Sequence, residues 1–206
     1  HTAGVVWLRE RGYNVFAFDY RGYGKSEGSP SMPGVHRDMV AALRTADRTD
    51  DLPTDRLAVL GQSLGGAVAT VATARIDPEE APAALVVDSA PPGYRAIARE
   101  KLAEGWITWP LQVPLSWLVT GDYAAIDAAP DLPPIPKLFI GNRNDDTIPG
   151  HHAKRLCDAA AAPAKCWSIT APGHIATFTV SELRDRLVQW LDDALIERAA
   201  GNEPQG

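Results

Sequence analysis

The sequence predicts an α/β fold: a three-layer sandwich on a mostly parallel sheet, with helices on both faces. Three observations predict it. Short apolar runs alternate with helix-period stretches along most of the chain, the order expected of strand–helix–strand units. The runs are nearly continuous rather than alternately polar, which fits strands covered on both sides. The length of 206 residues, with 45% hydrophobic and 22% charged residues, suits one domain with a sizeable core.

Thr2–Arg11 places Val5, Val6 and Leu8 in one amphipathic turn before Gly12, and reads as a helix. Asn14–Tyr20 (NVFAFDY) follows that glycine, is rich in Val and aromatics, and reads as the first strand. Gly34–Asp47, with Val35, Met39, Val40 and Leu43, reads as a helix. The strand Leu57–Gly61 leads into the helix Ser63–Arg75, and Ala84–Asp88 is the third strand.

Residues Pro91–Pro136 break the alternation and read as a helical, lid-like insertion over the C-terminal strand ends (residues 91–136). Trp106, Trp109 and Trp117, with Pro110 and Pro114 between them, either line an acyl-binding pocket, touch a membrane surface, or pack the insertion against the body. The pattern resumes with the strand Lys137–Gly141, the helix His152–Ala161, the fifth strand Cys166–Thr170, and the helix Ser181–Arg198. That last helix carries Leu183, Leu187, Trp190, Leu191 and Leu195 at a 3.6-residue period. Residues 199–206 are polar with Gly and Pro and are expected to fray. The whole of 1–206 reads as one domain with the insertion inside it.

The net charge of −6 argues against a nucleic-acid partner, because phosphate neutralisation needs a Lys/Arg surplus. No apolar run is as long as a membrane-spanning helix of about 18 residues, and no signal peptide is visible. Residue 1 is His, which suggests a sequence that starts partway into a longer protein. The two cysteines, Cys157 and Cys166, make neither a disulfide framework nor a zinc cluster. Two separate buried thiols are the expectation, and one bridge across a helix-to-strand connection is the alternative. Compartment stays open.

The strongest local motif is Gly61-Gln62-Ser63-Leu64-Gly65, followed by Gly66. A bare G-x-S-x-G is weak, but here an apolar strand leads in and a helix leads out. That is the context of a nucleophile elbow. Side chains flanking so tight a turn would clash, and Gly61 and Gly65 are read as the relief. Ser63 would then project from a helix N-terminus, where developing negative charge is favoured.

A serine hydroxyl needs a base oriented by a carboxylate, with the chain order Ser, acid, His in this architecture. Three of the five histidines follow Ser63. His174, in Ala171-Pro172-Gly173-His174, lies just past the end of the fifth strand, where α/β sheets place their sites. His151 and His152 read instead as capping or solvated residues. The acid should follow the strand Lys137–Gly141, where Asp145 and Asp146 compete.

Asp19-Tyr20-Arg21-Gly22-Tyr23-Gly24-Lys25-Ser26 invites a phosphate-loop reading. That motif needs a glycine where Asp19 stands, so nucleotide binding is rejected. The loop reads as structural, with Arg21 pairing a nearby carboxylate close to the site mouth.

The elbow GQSLGG, the loop DYRGYGKSEGSPS, the acid turn NDDTIP and the histidine loop APGH match the α/β-hydrolase superfamily in order and spacing. The resemblance covers nearly the whole chain. It is greatest to bacterial serine hydrolases of the serine-aminopeptidase-like and lipase-like branch. It implies Ser63 as nucleophile, His174 as base and Asp145 as acid, the last because the family pattern sets Asp three residues before the Ile that precedes Pro. The Leu64 backbone N–H is implied as one oxyanion donor.

The activity implied is hydrolysis of small-molecule carboxylic esters or thioesters, with no metal or organic cofactor. A peptidase is the alternative, with Glu100, Glu104 or Asp122 anchoring a substrate amine. A non-catalytic binding protein on the same fold is a third reading. Family members carry a strand ending in a His-Gly-type motif before the helix matching Thr2–Arg11, and that motif gives the second oxyanion donor. It is not in this sequence. The resemblance therefore implies a sheet lacking its first strands, with an unfilled position between the strands matching Asn14–Tyr20 and Leu57–Gly61.

Overall fold

The computed structural model describes residues 4–47, 56–104 and 121–201. Its centre is a four-stranded, all-parallel sheet in the order β1-β2-β3-β4. The strands are β1 (Ala58–Gln62), β2 (Ala84–Asp88), β3 (Lys137–Asn142) and β4 (Ala164–Ile169). The register runs Leu60 to Val86 to Leu138 to Lys165, which brings the C-terminal ends of all four strands to one edge of the sheet. Among the described residues five helices of nine or more residues surround it: α1 (Met32–Asp47), α2 (Leu64–Arg75), α3 (Tyr94–Glu104), α4 (His151–Ala159) and α5 (Ser181–Gly201).

The strand residues divide between two cores, and this makes the three layers. Leu85, Val87 and Phe139 face α1, α2 and α4, where they meet Val35, Met39, Val68 and Leu156. Val86, Leu138, Ile140, Trp167 and Ile169 face the other way, toward Leu187 and Leu191 of α5 and toward Trp7, Leu8 and Phe178. β2 and β3 are buried along their whole length, which explains why their sequences read as continuous apolar runs. Lys137 opens β3 yet is 1% exposed. Its Nζ donates to the carbonyls of Pro133 (2.7 Å) and Ile135 (2.8 Å), and burial pushes its pKa down to about 8.

Four sequence expectations change. First, Asn14–Tyr20 pairs with no strand among the described residues, so four strands form there rather than five, and β1 is the edge of that sheet. A β-prone run becomes a strand only when a partner satisfies its backbone groups. Phe16 and Phe18 of this segment are 48% and 36% exposed, and Phe18 meets Tyr20 edge-on at 5.0 Å. Second, the turn expected over Thr2–Arg11 is a 3₁₀ helix, Val6–Arg11, closed by Gly12 at φ +87°.

Third, the two cysteines are bonded: Cys157 of α4 joins Cys166 of β4, their Cα atoms 5.9 Å apart. Their spacing alone does not reveal this, because pairing depends on where the helix returns against the strand. Fourth, α5 runs on to Gly201, past the expected end at Arg198. The remainder of the tail expected to fray, 202–206, lies outside the described residues, as do Trp106, Trp109 and Trp117 of the insertion. Within the described part of that insertion lie α3 and a short helical turn, Ala125–Ala128.

One buried polar cluster sits apart from the strand ends. His36 of α1 is 5% exposed and stacks on Tyr123, with ring centroids 4.4 Å apart and planes within 12°. The Arg75 guanidinium lies 4.7 Å from the centroid of the same Tyr123 ring. Burial first, then the Arg75 charge, lowers the His36 pKa to about 4.

Candidate active site

β1 ends at Gln62, and α2 begins at Leu64, so Ser63 alone makes the turn between them. It does so at φ +52°, ψ −124°, a conformation rare for a residue with a side chain. The neighbouring glycines are needed because the chain folds back on itself. A Cβ on Gly61 would lie 2.6 Å from the Gly65 carbonyl oxygen, and one on Gly66 would lie 2.8 Å from the Ala90 Cβ and 2.9 Å from the Gly61 oxygen. Gly65, expected to relieve the clash, faces open space. Gly66 takes that role because the first turn of α2 swings it, and not Gly65, against β2.

The turn is pinned from below. The Ser63 N–H donates to the Asp88 carbonyl at 2.8 Å, and the Ser63 carbonyl accepts from the N–H groups of Gly66 (3.0 Å) and Ala67 (3.3 Å). The Leu64 N–H, in the first turn of α2, donates to no acceptor among the described residues. Helix N-termini leave such donors free by construction.

His174 arrives on the loop after β4. Its Nε2 lies 2.9 Å from Ser63 Oγ, and its Nδ1 lies 2.7 Å from Asp145 Oδ2. With the ring proton on Nδ1, that N–H donates to Asp145 and Nε2 accepts from the serine hydroxyl. Asp145 has no exposed side-chain surface, while that of His174 is 22% exposed. The other carboxylate oxygen, Oδ1, accepts from the backbone N–H groups of Thr147 (2.9 Å) and Ile148 (2.8 Å). Asp146, the competing acid, is exposed. His151 is exposed at the start of α4, but His152 is fully buried, against the expectation of a capping or solvated residue, because it faces inward from α4.

Two residues of this site carried no signal in the sequence reading. Asn142, the last residue of β3, is 1% exposed and uses both ends of its amide on the histidine loop. Its Nδ2 donates to the carbonyls of Ala171 (3.1 Å) and Gly173 (2.6 Å), and its Oδ1 accepts from the Ala171 N–H (2.9 Å). Asp88, the last residue of β2, is fully buried and accepts from Gln62 and Thr177. The available hint was a polar residue closing an otherwise apolar strand in each case. Arg21 does pair with a carboxylate, as expected: its guanidinium grips Asp38 at 2.6 to 3.0 Å and its backbone N–H adds a bond of 2.9 Å.

Two hollows among the described residues lie elsewhere. One, of about 320 Å³, is lined by Arg95, Arg99, Arg155 and Asp127, and another, of about 510 Å³, by Phe16, Phe18 and Asp38. Neither is lined by Ser63 or His174. No group of three or more His, Cys, Asp or Glu side chains arranged to hold a metal ion occurs among the described residues.

This chain is similar to several known proteins. Residues 3–122 match the family model described as serine aminopeptidase, S33. An uncharacterised protein of Escherichia coli (strain K12), YfhR, is 32% identical over 198 residues, which is 95% of this chain and 66% of that protein. The α/β-hydrolase domain-containing protein WAV2 of Arabidopsis thaliana is 34% identical over 182 residues, 84% of this chain and 58% of that protein. The chain thus spans about two thirds or less of the length of these curated relatives. Among solved structures, an esterase of Pyrococcus furiosus, Pf2001, superposes with a TM-score of 0.70 at 22% identity, over 94% of this chain and 75% of that one. Acetyl xylan esterase 1 of a Thermoanaerobacterium species superposes with a TM-score of 0.69 at 14% identity, over 94% and 70%. At such identities the likeness concerns the fold. With a strand–serine–helix turn, a parallel sheet and a family model covering more than half its length, the chain belongs to the serine aminopeptidase S33 family of the α/β-hydrolase superfamily.

Proposed function

We propose that the protein is a serine hydrolase that cleaves small carboxylic esters or thioesters through an acyl-enzyme. The observation that carries this reading is the unbroken hydrogen-bond chain from Ser63 through His174 to Asp145, at 2.9 and 2.7 Å. Ser63 Oγ attacks the substrate carbonyl while His174 Nε2 takes its proton. The tetrahedral oxyanion sits at the α2 N-terminus, where the Leu64 N–H is a free donor. His174 then returns the proton to the leaving alkoxide or thiolate, and the acyl group stays on Ser63. A water, deprotonated by the same imidazole, releases the acid. Asp145 holds the ring in the useful tautomer and balances the imidazolium. The second oxyanion donor is assigned to the family motif that lies outside this sequence, and the reading invokes no metal.

The test is labelling with a fluorophosphonate. The wild-type protein should label once, and Ser63→Ala should abolish labelling. A label that persists in that variant, or a wild type that never labels, refutes the reading.

A peptidase is the second reading, and the family description favours it. Asp122 is exposed within the insertion and is a candidate for a substrate-amine anchor. Turnover of aminoacyl anilides ahead of acyl esters would select the peptidase.

A further inference from the structure

Two segments that carry the proposed chemistry meet at one buried carboxylate that the mechanism does not use. Asp88 has no exposed surface. Its Oδ2 accepts from Gln62 Nε2 at 2.8 Å, on the residue before the nucleophile. Its Oδ1 accepts from Thr177 Oγ1 at 2.8 Å, three residues after the base, and from Ser89 Oγ at 3.2 Å. Its own carbonyl holds the Ser63 N–H at 2.8 Å. One residue therefore fastens the elbow and the histidine loop to the same point of β2.

The backbone shows why such a fastening is needed. Among the described residues four without a glycine backbone adopt positive φ: Ser63 (+52°), Ser89 (+52°), Ile175 (+49°) and Tyr123 (+61°). Three of the four adjoin this network. Ser63 follows Gln62, Ser89 follows Asp88, and Ile175 lies between His174 and Thr177. Strained residues persist only where surrounding bonds over-determine them.

A carboxylate suits the place better than an amide would. Gln62, Thr177 and Ser89 all present donors, so an acceptor on both oxygens satisfies all three. The group is costly to bury, and burial raises its pKa, while the three hydrogen bonds and the nearby His174 act to lower it.

We propose that Asp88 is a positioning residue, which latches the loop of His174 to the turn of Ser63 through Thr177 and Gln62. The inference rests on the acyl-transfer reading above, but its test does not depend on it. Three variants divide the possibilities. Thr177→Val removes the latch hydroxyl at constant shape, Thr177→Ser keeps a hydroxyl, and Asp88→Asn keeps the shape while removing the charge.

With a turned-over ester, Thr177→Val and Asp88→Asn should lower kcat by about 10- to 100-fold, as expected for slight misplacement of reacting groups. KM should stay within about twofold. Thr177→Ser should restore most of the rate. In parallel, the far-downfield proton resonance of the Asp145–His174 hydrogen bond should broaden or vanish in Thr177→Val and return in Thr177→Ser. Wild-type kcat and an unchanged resonance in a folded Thr177→Val, even with a lowered melting temperature, would overturn the proposal and leave Asp88 a purely structural residue. If fluorophosphonate labelling refutes the serine-hydrolase reading, the resonance remains the readout, and its persistence in Thr177→Val overturns the latch. If Asp88→Asn fails to fold, the Thr177 pair carries the test alone.

Discussion

The carboxylate of Asp145 is shared between two tasks: Oδ2 faces His174 Nδ1 at 2.7 Å, and Oδ1 is held by the backbone N–H groups of Thr147 and Ile148. The backbone bonds fix the carboxylate, so its aim at the imidazole does not depend on a flexible side chain. Asp146, one residue on, is exposed.

Asp145→Asn should therefore lower kcat by about 10³- to 10⁴-fold, because an amide in this position stabilises the wrong ring tautomer and cannot balance the imidazolium. Asp146→Asn should leave kcat within about twofold. Steady-state ester hydrolysis by the two variants checks both. The reverse ranking would move the acid to Asp146.

The elbow makes a prediction about two adjacent glycines. Gly66→Ala forces a methyl against Ala90 and the Gly61 carbonyl, and should cost about 1–3 kcal/mol of stability. Gly65→Ala meets open space within a helix, and should be neutral or slightly stabilising, by less than about 1 kcal/mol. Urea midpoints at constant m-value measure the difference. Equal losses would contradict the geometry.

These two glycines also mark how far the sequence could be read. Strand and helix positions follow from local periodicity, and most of them are legible to within a few residues: Ala84–Asp88 is unchanged, and Lys137–Gly141 gains only Asn142. The nucleophile, base and acid candidates are legible too, because each has a distinctive local setting: an elbow, a strand-end loop, a turn before Pro149. What was not legible depends on non-local approach. Whether Gly65 or Gly66 is needed depends on where β2 passes. Asn142 and Asp88 are one polar residue each until the histidine loop folds down on them. Asn14–Tyr20 has the composition of a strand, but a ladder takes two.

The bond between Cys157 and Cys166 closes a loop of about ten residues between α4 and β4. Chain-entropy arguments give such a loop about 2–3 kcal/mol. Reduction should lower the melting temperature by about 5–10 °C. Unreduced, denatured protein should give no free thiol with a thiol reagent. Two free thiols before reduction would refute the pairing.

His36 gives a pH dependence. Its pKa is about 4 in the folded protein, against about 6.5 in the unfolded chain. Between those values the unfolded state binds the extra proton, so stability is complete above pH 6.5 and declines as the pH falls toward 4. His36→Phe keeps the stack on Tyr123 without a titrating group. The gap in melting temperature between the variant and the wild type should widen from pH 7 to pH 4 in favour of the variant. A gap independent of pH would show that His36 does not titrate as buried.

The position of the nucleophile on the sheet has its own consequence. Among the described residues Ser63 hangs from β1, which is hydrogen-bonded to another strand on one side only, whereas the acid turn follows β3, flanked by strands on both sides. Edge strands open at lower free energy than central ones. In the 206-residue chain, mild denaturant or warming should then release Ser63 from His174 while β2, β3 and their helices stay folded. Catalytic competence would be lost in an earlier transition than helical structure. Reactivity at Ser63 is thus a gauge of one margin of the sheet, and its midpoint reports the local cohesion of β1 rather than the survival of the domain.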